Sequence, residues 1–276
     1  DSSTSRGLGD VYKRQMIRSA AKNVGWVTVI IDPSDYERVL ENINEENEIN
    51  FETRSSLSSK AFGHTAQYDT IIHNYLKEST LSNDFTLTYK KHSDMRYGEN
   101  PHQAASAFQI PGDKSNGILN AKIHQGKKLS YNNIMDADAA LSCLKEFRST
   151  ACVIVKHANP CGVALGANML DVYKRAFSAD SISAFGGVIA INQPCDDLLA
   201  KEISKVFVEI ILAPAFTKKS LDILSKKKNL RVLEVGNIEP RDQLLEVRNI
   251  VGGLIVQETD TSILSKNKLE IVTELE

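Results

Sequence analysis

A short apolar segment that ends at a lysine and a histidine is the part of this sequence best suited to chemistry. Residues 151–155 (ACVIV) are continuous, apolar and mostly β-branched, which predicts a strand buried on both faces of a helix-covered sheet. Lys156 and His157 follow this strand, and Asn159-Pro160 predicts a turn after them. Open α/β sheets bind ligands in such loops, where a lysine and a histidine can exchange protons. These two residues alone, however, are equally compatible with a simple cap of the strand end.

The composition is that of an ordinary globular protein. The chain has 276 residues, of which 42% are hydrophobic and 25% charged, and its formal net charge is −2. That size suits about two units, and the near-neutral charge argues against nucleic acid or a membrane surface as the main partner. No segment is apolar over enough residues to span a bilayer, and no export signal is recognised. The widely spaced cysteines, without a metal-knuckle or redox pair, predict a reduced cytoplasmic protein; they are Cys143, Cys152, Cys161 and Cys195.

The first 15 residues differ from the rest of the chain. They are polar, rich in serine and glycine, and aperiodic, which predicts disorder. Residues 10–15 (DVYKRQ) resemble the translation of a transposon-end sequencing adapter, so we expect residues 1–15 to be foreign to the protein. DVYKR recurs at residues 171–175 within a helical pattern behind an Asn168 cap, and that copy is interpreted as native.

Patterning predicts a small first unit followed by an α/β unit. Residues 16–23 indicate the end of a helix, residues 26–31 a strand, and Ser34 or Asp35 the start of a short helix to Leu40. A long helix over residues 51–76 is expected to connect the two units. The predicted domains are therefore 1–15, 16–84 and 85–276.

Strands and helices alternate in the second unit. Residues 85–89 predict a half-buried strand, and residues 96–102 break all periodicity. Further strands are expected at 104–110, 151–155, 187–191, 207–212, 230–235, 251–257 and 269–276, and helices at 136–147, 168–177, 196–206 and 218–226. This order predicts an α/β fold with a parallel or mixed sheet between two helical layers.

Four longer motifs follow one another along the chain: 94–103 (DMRYGENPHQ), 129–133 (LSYNN), 155–162 (VKHANPCG) and 183–187 (SAFGG). Together they resemble, in residues and in order, the family of bifunctional AICAR formyltransferase/IMP cyclohydrolase enzymes. The resemblance covers residues 16 to about 273, and several long motifs in order are far more specific than one short motif.

The resemblance implies a protein truncated at both ends. Residues 16–84 resemble the C-terminal remnant of the α/β cyclohydrolase domain and a helical linker, with Lys22 matching a lysine assigned to ring closure. Residues 85–276 resemble the first half of the formyltransferase domain, which implies a cytidine-deaminase-like, three-layer subdomain with a mixed sheet. We expect the full-length protein to convert AICAR to FAICAR and then to IMP, and this fragment to be inactive alone.

The resemblance also implies roles for individual residues. The family transfers a formyl group from 10-formyltetrahydrofolate to the 5-amino group of AICAR, a weak nucleophile whose lone pair is delocalised into the ring. His157 is matched to the proton acceptor for that amine, and Lys156 to the group that stabilises the oxyanion or protonates the departing folate nitrogen. The residues matched to nucleotide binding are Arg96, Tyr97, His157, Gly186 and Glu209.

Without the resemblance, each of these binding residues has a plainer explanation. Arg96 and Tyr97 would be a surface turn, Gly186 a strand-entry glycine, and Glu209 an edge charge facing water. Some family members carry aspartate at the position of Glu209. Lys22 alone would be a solvated helix-end lysine.

Two other functions compete with formyl transfer. Pro160-Cys161 resembles half of a zinc-deaminase signature, but Ala164 stands where the second thiolate would fall, and Asn159 where that motif needs glutamate. We therefore expect no bound zinc. The sequence is compatible with a bound monovalent cation but does not predict one. The second alternative is a non-catalytic nucleotide-binding or dimerisation module, because the family's site lies at a homodimer interface and includes residues from the missing half.

Overall fold

The chain divides into two compact units, Asp1–Thr88 and Tyr89–Glu276. The computed structural model describes residues 13–239 and 245–262. None of the helices in these ranges combines the length and the apolarity needed to cross a bilayer. The division falls close to the predicted boundary after residue 84.

The first unit is helical. Helix α1 spans residues 13–22, a 3₁₀ turn spans Pro33–Asp35, and helices α2 and α3 span Tyr36–Glu46 and Phe51–Leu76. Helix α3 has the predicted bounds, because the side chain of Asn50 accepts a hydrogen bond from the N–H of Thr53 and so caps the helix. Ala21, Val29 and Ala61 form the buried centre of this unit.

Two expectations for the first unit were wrong. Residues 13–15, expected to be disordered, belong to α1, where the Arg14 guanidinium lies 3.9 Å from the ring centroid of Tyr68. This cation–π contact joins Arg14 to α3 within the first unit; residues 1–12 lie outside the described residues. Residues 26–31 form no strand, because no strand lies beside them in the described part of the chain to complete their hydrogen bonds.

The second unit contains a six-stranded mixed sheet with strand order β3-β8-β7-β6-β4-β5 and two separate hairpins. The strands are β1 Lys90–Asp94, β2 Ser106–Gln109, β3 Lys122–Gln125, β4 Ala151–Lys156, β5 Asn159–Leu165, β6 Val188–Ile191, β7 Ile210–Ala213, β8 Arg231–Glu234, β9 Leu245–Ile250 and β10 Gly253–Glu258. Strands β6, β7 and β8 are parallel, whereas β4 is antiparallel to both of its neighbours. The predicted α/β fold with a mixed sheet is confirmed.

Helices cover both faces of this sheet. They are α4 Tyr131–Leu144, α5 Met169–Ala179, α6 Asp197–Ile203 and α7 Lys218–Leu224. Helix α4 packs on one face through Ala137 and Leu144, in the same apolar cluster as Val153. Helices α5, α6 and α7 pack on the other face, where Cys152 and Ile154 point. Alternate residues of β4 thus enter opposite cores, which explains why the strand is apolar throughout.

Several boundaries differ from the predictions. The strand expected at residues 85–89 begins instead at Lys90, where the chain first pairs with β2. Helix α4 begins at Tyr131 rather than Asp136, because Ser130 and Asn133 cap each other reciprocally. Of the two C-terminal strands expected, 251–257 falls in the β9–β10 hairpin, and 269–276 lies outside the described residues.

The predicted turn at Asn159-Pro160 was also wrong. The turn consists of His157 and Ala158, and Asn159 and Pro160 already belong to β5. Among the described strands, β5 is the last on its side of the sheet, so a proline, which has no N–H to donate, fits there.

Candidate active site

A cavity of about 500 Å³ lies where β4 ends and the parallel strands begin. Its lining residues, which define the cleft, are Arg96, Tyr97, Lys127, Lys128, Leu129, Ser130, Asn132, Asn133, Asp136, Lys156, His157, Gly186, Glu209 and Arg231. They include all six residues that the resemblance matched to formyl transfer and nucleotide binding. The seventh, Lys22, is exposed at the end of α1 in the first unit.

The turn between β4 and β5 brings Lys156 and His157 into the same cleft. Consecutive side chains of a regular strand point to opposite faces, but here the strand ends after Lys156. His157 and Ala158 both adopt left-handed backbone conformations, with φ of 53° and 59°. This conformation costs a residue with a Cβ about 1–2 kcal/mol. The turn is held by two hydrogen bonds: the N–H of Ala158 donates to Asp136 Oδ1 at 2.7 Å, and the side chain of Asn159 donates to the His157 carbonyl at 2.8 Å.

Lys156 is held by backbone carbonyls. Its Nζ donates to the Gly186 carbonyl at 2.9 Å and to the Phe185 carbonyl at 3.4 Å. Gly186 has φ of 69°, and a Cβ at that position would lie 3.1 Å from Lys156 Nζ and from the ring of Phe207. The glycine therefore meets two requirements, a left-handed backbone and a close approach of the ammonium group.

Glu209 is fixed by partners from two other elements. Asn133 on α4 donates from Nδ2 to Glu209 Oε2 at 2.9 Å, and a guanidinium nitrogen of Arg231 on β8 lies 3.9 Å from the same oxygen. Asn133 is buried, and its Oδ1 accepts from the N–H of Ser130 at 3.2 Å. The Asn133 side chain therefore both caps α4 and orients the Glu209 carboxylate in the cleft.

Arg96 and Tyr97 lie on a tightly hydrogen-bonded loop after β1. The N–H of Gly98 donates to the Gln103 carbonyl at 2.7 Å, and the N–H of Asn100 donates to Gln103 Oε1 at 2.8 Å. These bonds close the loop, so that Arg96 and Tyr97 occupy one wall of the cleft.

The cleft is positively charged overall. Five basic side chains line it, and two carboxylates oppose them; the basic residues are Arg96, Lys127, Lys128, Lys156 and Arg231, and the acidic ones are Asp136 and Glu209. A concave site with excess positive charge attracts anions, and guanidinium groups in particular suit phosphate and carboxylate oxygens.

Sequence reasoning missed four contributors to the cleft. Asp136 and Arg231 were not singled out, and Lys127 and Lys128 had no assigned role. Asn133, in the LSYNN motif, was given no role of its own, and it lies in the first turn of α4 and also binds Glu209. The spacing of Ser130 and Asn133 was the one local signal that pointed to an earlier helix start.

The cysteines in the second unit are packing groups. Burial raises the pKa of the Cys152, Cys161 and Cys195 thiols, that of Cys195 to about 12. Cys161, the residue that suggested a deaminase, points its Sγ at the Ile154 carbonyl at 3.5 Å. In the part of the chain that the structure describes, no group of histidine, cysteine and acidic side chains is arranged to hold a metal ion.

Replacing Asn133 with aspartate is expected to destabilise the second unit by about 2 kcal/mol, because it places a carboxylate at a buried position next to Glu209 and removes the amide that donates to Glu209. The measurement is urea unfolding followed by circular dichroism. Asn132→Asp, one position earlier and exposed, is the matched control. Equal stability losses in the two variants would show that the Asn133 contact with Glu209 contributes nothing specific.

A family model described as "AICARFT/IMPCHase bienzyme" matches residues 20–276. Proteins named "Bifunctional purine biosynthesis protein PurH" from Bacillus cytotoxicus (strain DSM 22905 / CIP 110041 / 391-98 / NVH 391-98) and Bacillus thuringiensis (strain Al Hakam) are each 45% identical to this chain over 270 residues. Each alignment covers 97% of this chain and 53% of the relative.

The chain therefore spans about half the length of the curated relatives it matches. The aligned region reaches into residues 1–15, and the adapter origin of those residues stays a prediction. Among solved structures, "Acinetobacter baumannii RibD, form 2" aligns with 36% of this chain and 33% of that chain, at 16% identity and a TM-score of 0.28, a similarity too low to assign a fold.

Proposed function

The chain belongs to the AICARFT/IMPCHase bienzyme family, and we propose that its second unit carries part of an AICAR formyltransferase site. The observation that carries this proposal is the convergence of six matched residues, from four separate segments of the chain, on one cleft. A volume of about 500 Å³ lies within the range of small-molecule sites, and the excess of basic side chains suits a nucleotide phosphate.

The proposed chemistry assigns one task to each residue. When bound, 10-formyltetrahydrofolate supplies the formyl carbon, which the AICAR 5-amino group attacks. His157 accepts the proton that the amine loses as the new carbon–nitrogen bond forms. The Lys156 ammonium stabilises the oxyanion or donates a proton to the departing folate nitrogen. Because Gly186 holds Lys156 by its carbonyl, the ammonium group is oriented before substrate binds.

The binding roles follow from charge and shape. Arg96 and Arg231 offer guanidinium groups to phosphate or carboxamide oxygens, and Tyr97 offers a ring for stacking. Glu209, already oriented by Asn133, retains a carboxylate oxygen that can accept from a nucleotide hydroxyl or amine. The backbone of Gly186 can approach the nucleotide closely because no side chain intervenes.

The domain assignments are part of the same proposal. We assign residues 85–276 to the first cytidine-deaminase-like subdomain of the formyltransferase domain, supported by the mixed sheet with helices on both faces. Residues 16–84 are assigned to the end of a cyclohydrolase domain and a linker, with Lys22 as its ring-closure lysine. A full-length protein of this family is proposed to act as a cytosolic homodimer that produces IMP from AICAR through FAICAR.

A protein extended from the same locus to the relatives' length is expected to transfer the formyl group to AICAR, whereas residues 16–276 alone are expected to give no measurable turnover. The reason is that this chain covers 53% of the relatives' length, and the family's site takes residues from both halves. The measurement is the absorbance change as tetrahydrofolate forms from 10-formyltetrahydrofolate. An inactive extended protein would refute the proposed function, and rapid turnover by residues 16–276 would refute the need for the second half.

The second candidate function, a nucleotide-binding or dimerisation module without catalysis, is favoured by the same partial coverage. It is distinguished by titrating residues 16–276 with AICAR in a calorimeter beside the turnover assay. Binding without turnover would support the non-catalytic module. Binding with turnover would support the enzyme.

A further inference from the structure

We propose that Asp136 is a positioning residue for formyl transfer, which acts by holding the β4–β5 turn that presents His157 to the cleft. The inference rests on the proposed function, and it adds a residue to which the resemblance assigned no role. It is carried by one hydrogen bond, in which the N–H of Ala158 donates to Asp136 Oδ1 at 2.7 Å. This bond connects the β4–β5 turn to α4.

The turn needs external support because its sequence does not favour its conformation. A two-residue hairpin loop with positive φ at both positions strongly prefers Asn-Gly or Asp-Gly. His157 and Ala158 adopt that conformation although both carry a Cβ. Histidine tolerates the left-handed region better than most residues, whereas alanine has no such advantage. The strain is therefore greatest at Ala158, and this is the residue whose N–H binds Asp136.

The position of the turn leaves it few other contacts. Beside the main cleft, a second cavity of about 310 Å³ is lined by Tyr131, Met135, Asp136, His157, Ala158 and two further residues. His157 and Asp136 line both cavities, so open space flanks the turn on two sides. His157 and Ala158 are both exposed. Packing on the turn is correspondingly sparse, and directional hydrogen bonds must set the direction of the imidazole.

Helix α4 is a rigid base for this contact. The residue after Asp136, Ala137, is completely buried against the sheet, as is Ala140 one turn later. The N-terminus of the helix is fixed by the Ser130–Asn133 capping box. Asp136 projects from the same helix beside these anchored positions. An ionised carboxylate forms shorter and stronger hydrogen bonds to N–H groups than a neutral acceptor does.

The first test follows the Ala158 amide in this chain, by hydrogen exchange measured with NMR. Asp136→Ala is expected to accelerate exchange of that amide by about tenfold or more, and Asp136→Asn, which keeps a side-chain carbonyl, by less. Asp222→Ala, an exposed aspartate on α7, is the matched control and is expected to leave the Ala158 amide unchanged. Unchanged exchange in a folded Asp136→Ala protein would overturn the proposal. This test does not depend on catalysis, so it stands even if the proposed function fails.

The second test is a rescue in the extended, active protein. Asp136→Ala is expected to lower kcat by about 10- to 100-fold while KM for AICAR changes less than about threefold. Adding Ala158→Gly is expected to restore most of the lost kcat, because glycine adopts positive φ without a steric penalty and the turn then needs no support. If Asp136→Ala retains full kcat, or if the double variant is as slow as Asp136→Ala, Asp136 does not act through the turn and the proposal is wrong.

Discussion

Alanine at His157 is expected to lower kcat for formyl transfer in the extended protein by about 10²–10⁴-fold, the usual loss when a general base is removed. The AICAR amine is a weak nucleophile, and it must lose a proton as it attacks. His157 is exposed to the cleft at the tip of the β4–β5 turn, where a bound nucleotide can reach it. Affinity for AICAR is expected to fall much less than kcat, because the other binding residues remain.

Two companion variants at Lys156 separate its possible roles. Lys156→Ala removes both the positive charge and the proton donor, and its kcat is expected to fall as much as that of His157→Ala. Lys156→Arg keeps the charge but cannot give up a proton, so substantial remaining activity would assign Lys156 to oxyanion stabilisation. His92→Ala and Lys219→Ala replace exposed residues outside the cleft and serve as controls. AICAR affinity and kcat falling in parallel in the alanine variants would mean that the pair binds substrate rather than performing chemistry.

Alanine at Gly162 is expected to destabilise the second unit by roughly 3 kcal/mol or to prevent its folding. Gly162 lies on β5 directly beneath α5, and a Cβ there would stand 2.0 Å from the carbonyl oxygen of Ala176. That oxygen belongs to the helix backbone, so the overlap is relieved only if α5 moves away from the sheet. Strand β5 continues from the turn that carries His157, and the same change is expected to reduce formyl transfer in the extended protein.

The matched control is Gly117→Ala, also in the second unit. A Cβ at Gly117 would meet nothing closer than Ser115 Oγ at 3.7 Å, and its φ of −114° is open to any residue. Stability is measured by urea unfolding, with the loss in Gly117→Ala expected to stay within about 0.5 kcal/mol. A Gly162→Ala protein as stable as this control would show that α5 and β5 are not as closely packed as described.

Local sequence patterns were sufficient to predict many of the helices and strands. The bounds of α3 match the prediction, because its start is marked by a capping asparagine that the chain itself carries. Asn168 caps α5 and Asp196 caps α6 for the same reason. The apolar run of β4 predicted burial on both faces, and both faces are covered by helices. Each of these features depends on residues within one turn or one strand.

The errors about strands share one physical origin, which is that a strand exists only beside a partner. Residues 26–31 have suitable side chains but no neighbouring strand among the residues that the structure describes, whereas β5 contains a proline and is nevertheless paired. Local propensity cannot distinguish these cases, since the deciding hydrogen bonds come from segments elsewhere in the chain. The wrong turn at Asn159-Pro160 followed from the same missing information.

The sequence by itself determined the alternation of strands and helices, the buried β4 strand and, through its motifs, the family. Only the tertiary structure decided that the beginnings of β6, β7 and β8 meet the end of β4 at the cleft, and that Asp136, Asn133 and Arg231 belong to it. Periodicity and capping are encoded within a few residues, so they can be inferred locally. The cleft joins residues up to 135 positions apart, Arg96 and Arg231 among them, and their meeting depends on strand order and on a left-handed turn that no local pattern specifies.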